Sequence, residues 1–160
     1  MGNPIDTASL DRRTLLAGAG MGAFAALLSP VVNAAAPAMS ADEQANLKLV
    51  NDFCAAWATR DMAKILPFLG EECVYRMTET TPPVTGHAGV TERIKPAVDR
   101  ADAVTFEVLE SYAKGPMVIN HRIDRFASKE RPFTWEGVGV FFIKDSKIRE
   151  WSDYTIKMQR

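Results

Sequence analysis

Metal chemistry finds few ligands in this chain. It has two histidines and two cysteines, and no Cys/His cluster at metal-ligand spacing. No glycine-rich loop is present to cradle a phosphate, and no internal repeat shows itself. Excess charge of either sign is also missing. With 19 basic against 20 acidic residues, the net charge is -1, and no basic run supplies a local footprint for nucleic acid. Nucleic acid is therefore excluded as a partner.

The most local absence lies at the amino end, where nothing between Arg13 and Asp42 carries a charge. The stretch opens Asp11-Arg12-Arg13-Thr14-Leu15-Leu16, the pattern of a paired-arginine export signal. Its apolar part, "LLAGAGMGAFAALL", is rich in Gly and Ala and ends at Ser29-Pro30, which is short and weak for a spanning helix. Ala34, Ala35 and Ala36 offer a peptidase site. Residues 1–36 are thus read as a twin-arginine-type export signal, and residues 37–160 as one domain. Removing the signal takes away two arginines and two aspartates, so the charge stays at -1. The expected location is periplasmic or secreted, with no stable membrane insertion after cleavage. An uncleaved signal acting as a membrane anchor is the alternative. In an oxidising compartment Cys54 and Cys73 would be able to pair, but a helix and the start of a strand suit two buried apolar thiols better.

What is present is ordinary globular material, 47% hydrophobic and 24% charged, enough for one sizeable core. Ser40-Ala41-Asp42-Glu43 is a capping box that starts a helix at Ala41. Leu47, Val50, Phe53, Cys54 and Trp57 follow at helical spacing and form one apolar stripe. Asp61 caps a second, shorter helix that Pro67 limits. "CVYRM", residues 73–77, suits a strand. A short helix around Val90 to Lys95 comes next, with Pro96 at its end. From Ala103 onward, apolar and β-branched residues alternate through "AVTFEVLESYA", "MVINHRIDRF", "FTWEGVGVFFI" and "KIREWSDYTIKM", which predicts four strands. Their short joints make them antiparallel neighbours. Helices first and a meander afterwards is an α+β arrangement. Gly137 and Gly139 permit sharp curvature that would bend the sheet around a cavity.

Strand alternation puts Asn120, Arg122, Asp124 and Phe126 on one face, with His121, Ile123 and Arg125 on the other. Trp151, Asp153 and Thr155 share a face of the last strand. On a curved antiparallel sheet Arg122 would lie between Asp124 and Asp153 and bond to both through its planar fork. Such a trio would keep one acid protonated and the other charged, since burial and mutual repulsion oppose the pull of the guanidinium. An isolated R-x-D on a solvated strand face is more often a surface ion pair. Tyr75 alone is more often a core tyrosine. His87, beside Gly86, reads as a surface loop residue, and His121 as a packing or solvated side chain. Met77, Leu109, Phe126, Val138, Val140 and Phe142 would line a pocket or simply form core.

Tyr75 after a helical pair, Arg122-Ile123-Asp124 on a middle strand and Trp151-Ser152-Asp153-Tyr154 on the last strand resemble the limonene-1,2-epoxide hydrolases. The likeness runs from about residue 44 to residue 157. It implies a cone of curved mixed sheet closed by helices, the fold of nuclear transport factor 2, ketosteroid isomerase and SnoaL-like polyketide cyclases. Carried over by position, Asp153 is the base that takes a proton from water, with Tyr75 holding that water. Asp124 is the acid that protonates the epoxide oxygen, and Arg122 bridges the two carboxylates. The implied reaction is one-step addition of water to a small cyclic or terpenoid-like epoxide, giving a vicinal diol. It needs no metal and no organic cofactor, and the implied assembly is a homodimer. One departure is Met77, which stands where the family places an asparagine two residues after the tyrosine. Losing one positioning hydrogen bond weakens such a site by about 1–3 kcal/mol. Thr78 would face away from Tyr75's neighbour unless a bulge intervened. Two other readings stay open: an isomerase or cyclase that uses one carboxylate and no water, and a non-catalytic ligand-binding cone.

Overall fold

The structure, a computed structural model, describes residues 38–159. The expected export signal lies outside the described residues. Among them no helix is long and apolar enough to cross a membrane.

Helix α1, Ala41–Ala56, opens on the capping box: Ser40 Oγ accepts from Glu43 N and Glu43 Oε2 accepts from Ser40 N. Its apolar stripe buries Val50, Phe53 and Cys54, and a following 3-10 turn, Trp57–Thr59, buries Trp57. Asp61 caps α2, Met62–Ile65, through Ala63 N. Pro67 sits in the next 3-10 turn, Leu66–Phe68, where its missing N–H and fixed φ are tolerated.

Strand β1 runs Leu69–Arg76 and β2 is the two-residue Val84–Thr85. Helix α3 spans Gly86–Arg100 with Pro96 inside it, so the proline expected at the helix end does not end it. Val90, Ile94 and Val98 are all buried on one side of α3, each stabilising by roughly 1.5–3 kcal/mol. Together they outweigh the ~3 kcal/mol that an internal proline costs. His87 falls in the first turn of α3, with Nε2 3.2 Å from Leu69 O. It is half-buried against β1 and not a surface loop residue.

The four strands read from alternation are β3 Ala103–Lys114, β4 Met117–Ala127, β5 Phe133–Lys144 and β6 Lys147–Gln159. The six-stranded sheet has the order β2-β1-β6-β5-β4-β3. Only the β1–β6 pair is parallel, so the architecture is α+β with a curved mixed sheet. Register shifts that leave an extra residue at Leu109 in β3 and at Arg149 and Ile156 in β6 add local twist and bend.

The core lies between α1, α3 and the inner face of the sheet, with Phe53, Trp57, Phe141 and Trp151 at its centre. Phe53 meets the rings of Trp57, Phe141 and Trp151 edge-on at 5.1–6.1 Å. Cys54 and Cys73 are both free and buried. Burial pushes each thiol up to about 12, so both are neutral packing groups.

Glu43 does more than cap: its Oε1 also accepts from Gly115 N, which ties the start of α1 to the β3–β4 turn. The backbone donors Gly115 and Ser40 hold its carboxyl down to about 2 against 4.5 ordinarily. A depressed folded-state pKa stabilises above the unfolded value and is lost as pH falls through the folded one. Glu43→Gln should therefore lower the thermal midpoint at neutral pH. The gap to the parent should close as pH drops from 4.5 toward 2, as followed by circular dichroism.

Candidate active site

Three residues of β4 point inward at alternate positions, Asn120, Arg122 and Asp124, and all are buried. Trp151 and Asp153 do the same on β6. β5 lies between these strands, and its Gly139 faces Asn120 on one side and Asp153 on the other. A Cβ at position 139 would collide with Arg122 Nη1 and lie 2.8 Å from Asn120 Oδ1. The glycine therefore leaves open the space through which the guanidinium crosses β5. Curvature is only part of what this residue permits.

Arg122 has no exposed surface. Its Nε donates to Asp124 Oδ1 at 3.0 Å and to Oδ2 at 3.2 Å, its Nη1 to Asn120 Oδ1 at 3.0 Å, and its Nη2 to Asp153 Oδ1 at 2.8 Å. Trp135 and Phe106 lie against the guanidinium, with ring centroids at 4.8 Å and 5.2 Å. The surface ion pair expected of an isolated R-x-D is not what these residues form.

The two carboxylates are unequal. Burial is the largest influence on both and raises both, with the Arg122 charge acting against it. Asp124 is pushed up to about 7 from 3.8. Asp153 has a further donor that Asp124 lacks, Trp151 Nε1 at 2.8 Å from Oδ1. A hydrogen bond to the charged form favours that form. The negative charge is therefore held preferentially on Asp153 and the proton on Asp124. The sequence placed Trp151 and Asp153 on one face, but its indole as a donor escaped that reading. Asn120 likewise shared a face with Arg122 without being seen as its acceptor.

Above the trio is a cavity of about 120 Å³ lined by Asp124, Asp153, Tyr75, Arg93, Thr78 and apolar side chains, Trp135 and Phe106 among them. Tyr75 stacks on Trp151, ring centroids 3.9 Å apart, as its parallel register with that residue requires. Burial raises its phenol well above the ordinary value, so it is a neutral donor. Met77 and Met158, each 39% exposed, border the mouth. Because β1 stops at Arg76, Met77 and Thr78 are in a bend and both line the cavity. Thr78 Oγ1 is 2.5 Å from Thr81 Oγ1.

Of the other pocket candidates, Phe126 lines the cavity. Val138, Val140 and Phe142 alternate with the buried residues of β5 and so lie on the outer face, and Leu109 is exposed at the β3 bulge. His121 also faces outward, its Nε2 3.1 Å from Glu136 Oε1. Among the described residues no group of three or more His, Cys, Asp or Glu is placed to hold a metal.

Residues 50–151 match the family model described as a SnoaL-like domain. Similar solved structures include an LEH-like epoxide hydrolase from M. tuberculosis, 23% identical, with 71% of this chain and 84% of that one covered and a TM-score of 0.60. A candidate SnoaL-like polyketide cyclase from Jannaschia sp. CCS1 is 10% identical, with 76% and 92% covered and a TM-score of 0.65. A protein of ketosteroid isomerase-like fold from Catenulispora acidiphila DSM 44928, in complex with trimethylamine, is 16% identical, with 67% and 84% covered and a TM-score of 0.59. No curated protein matches the chain by sequence. These likenesses establish the fold.

Gly139→Ala tests the packing around the guanidinium. Overpacking a buried site typically costs about 1–3 kcal/mol, and here the displaced group is a buried charge. Urea denaturation should show a loss at or above the upper end of that range, whereas Gly115→Ala, which has open space at its Cβ and only the strain of its φ of +55° to bear, should lose less.

Proposed function

The chain belongs to the SnoaL-like domain family, and on that premise we propose that it is an epoxide hydrolase adding water to a small cyclic epoxide to give a vicinal diol. The observation that carries this reading is one guanidinium joining two unequal buried carboxylates on the floor of a small apolar cavity. An acid and a base a few ångströms apart on one substrate are what concerted ring opening needs.

In this mechanism a water between Asp153 and Tyr75 gives a proton to Asp153 as its oxygen attacks one epoxide carbon. The C–O bond at the attacked carbon breaks, and the ring oxygen takes the proton of Asp124. Asp124 ends charged and Asp153 protonated, and a proton passing back to Asp124 resets the pair. Arg122 touches both carboxylates throughout and holds the total charge of the trio constant. No covalent enzyme intermediate forms. With Met77 at the asparagine position, the water relies on Asp153 and Tyr75.

Cavity size favours a compact ring. At about 120 Å³ it lies below the roughly 300–1,000 Å³ of common ligand pockets, so a fused-ring steroid or polyketide fits less well. An isomerase or cyclase using the same carboxylates is the second reading, favoured by Met77, whose side chain offers no amide to a water. Export to the periplasm, or secretion, is part of the proposal, because the paired arginines precede the domain.

A homodimer is also proposed, with Tyr112, Phe142, Tyr154 and Ile156, all 42–62% exposed, covered by a second copy on the outer face of the sheet. Tyr154→Lys with Ile156→Asp should convert the dimer to monomer in light scattering. A wild-type monomer would exclude this assembly.

In oxygen-18 water an epoxide panel should yield diol carrying one labelled oxygen, and Asp124→Asn or Asp153→Asn should each lower kcat by at least about 100-fold. Activity should fall as pH rises through about 7, where Asp124 loses its proton. Unlabelled products would favour the isomerase reading, and binding without turnover of any probe would favour a non-catalytic cone.

A further inference from the structure

Among the residues lining the cavity, two polar groups have been given no partner or role: Trp57 Nε1, buried without a hydrogen-bond partner, and the charged Arg93. Arg93 projects from α3 into the cavity wall beside Ile94 and Ala97. Positions three and four away along the helix are Gly89, Val90, Pro96 and Ala97, none of them acidic, so no helical neighbour at pairing distance neutralises it. Lys95 on the same helix, by contrast, pairs with Asp99 at 2.6 Å. Among the described residues no carboxylate or carbonyl accepts a hydrogen bond from Arg93, and it forms no ion pair. Five N–H donors in a planar fork therefore border the space a substrate would fill.

Charge counting sharpens the point. With the proton on Asp124, the charges of Arg122 and Asp153 cancel. Glu79, whose charge reaches Asp153, accepts from Thr155 N at the rim and is engaged there. Arg93 is left as a positive charge with no ion-pair partner among the described residues, at the wall of an apolar cavity where Coulomb attraction is stronger than in water. Its field is close enough to Tyr75 to act on the phenol.

We infer that Arg93 is a specificity residue that receives a carboxylate, and that the preferred substrate is a small epoxide bearing one carboxylate remote from its ring oxygen. The guanidinium fork matches a carboxylate with two parallel hydrogen bonds, and a single cation matches a monoanion. A neutral terpene epoxide would leave those donors unpaired. The inference deepens the hydrolase reading and rests on it for the reaction, while the anion subsite itself stands on the geometry of Arg93.

The test compares 3,4-epoxycyclohexane-1-carboxylate with its methyl ester, using the purified protein and its Arg93→Met and Arg93→Lys variants. The wild type should prefer the acid by tenfold or more in kcat/KM. In Arg93→Met that preference should vanish, with the loss in KM and not in kcat, and Arg93→Lys should retain part of it. An equal or reversed preference in the wild type, or the same acid-to-ester ratio in Arg93→Met, would overturn the inference. Should neither epoxide give diol, quenching of the cavity tryptophans separates the two ideas. Tighter binding of cyclohexanecarboxylate than of cyclohexanemethanol, lost in Arg93→Met, supports the anion subsite while the hydrolase reading fails; equal binding of the two probes sinks the subsite as well.

Discussion

A guanidinium with no exposed surface is the constraint from which most of this molecule follows. Removing such a charge from water costs many kcal/mol unless its donors are all met. Here Asp124, Asn120 and Asp153 meet it from three directions, and aromatic faces close off the remainder. Removing any one of those partners would leave a buried charge or a buried donor uncompensated, typically 3–5 kcal/mol for a buried ion pair. β4 supplies the guanidinium and two of its partners, β6 supplies the third, and β5 between them has a glycine where any side chain would block the crossing. The strand register of half the sheet thus serves one side chain.

The same contacts divide the labour of the two acids. Low dielectric surroundings raise both carboxyls, and Arg122 opposes that rise for both, so neither effect alone separates them. The indole of Trp151 does, because it donates to Asp153 only. Trp151 is at once a core residue, packed on Phe53, Phe141 and Tyr75, and a donor that favours the ionised form of Asp153. The aromatic core and the chemistry are therefore coupled. A change that tilts this indole would alter the proton distribution without touching either aspartate.

Local pattern carried a good deal of this structure. The capping box at Ser40, the cap at Asp61 and all four long strands lie within a residue or two of where alternation and cap chemistry put them. Each of those signals is a relation between residues close in sequence. The misses share the opposite property. α3 continues through Pro96 because Val90, Ile94 and Val98 bury against other elements. β2 is two residues long and exists only because β1 offers it an edge. His87 is held by a carbonyl eighteen positions away.

By itself, the sequence determined which side chains share a strand face, since the pleat has a period of two and needs no partner. That places Asn120 with Arg122 and Asp124, and Trp151 with Asp153. Only the tertiary structure decided that the two faces meet across Gly139, that Trp151 donates to one acid and not the other, and that Arg93 comes to the cavity without a counter-charge. Those facts depend on inter-strand register and on the seating of α3, which are long-range relations set by packing of the whole core.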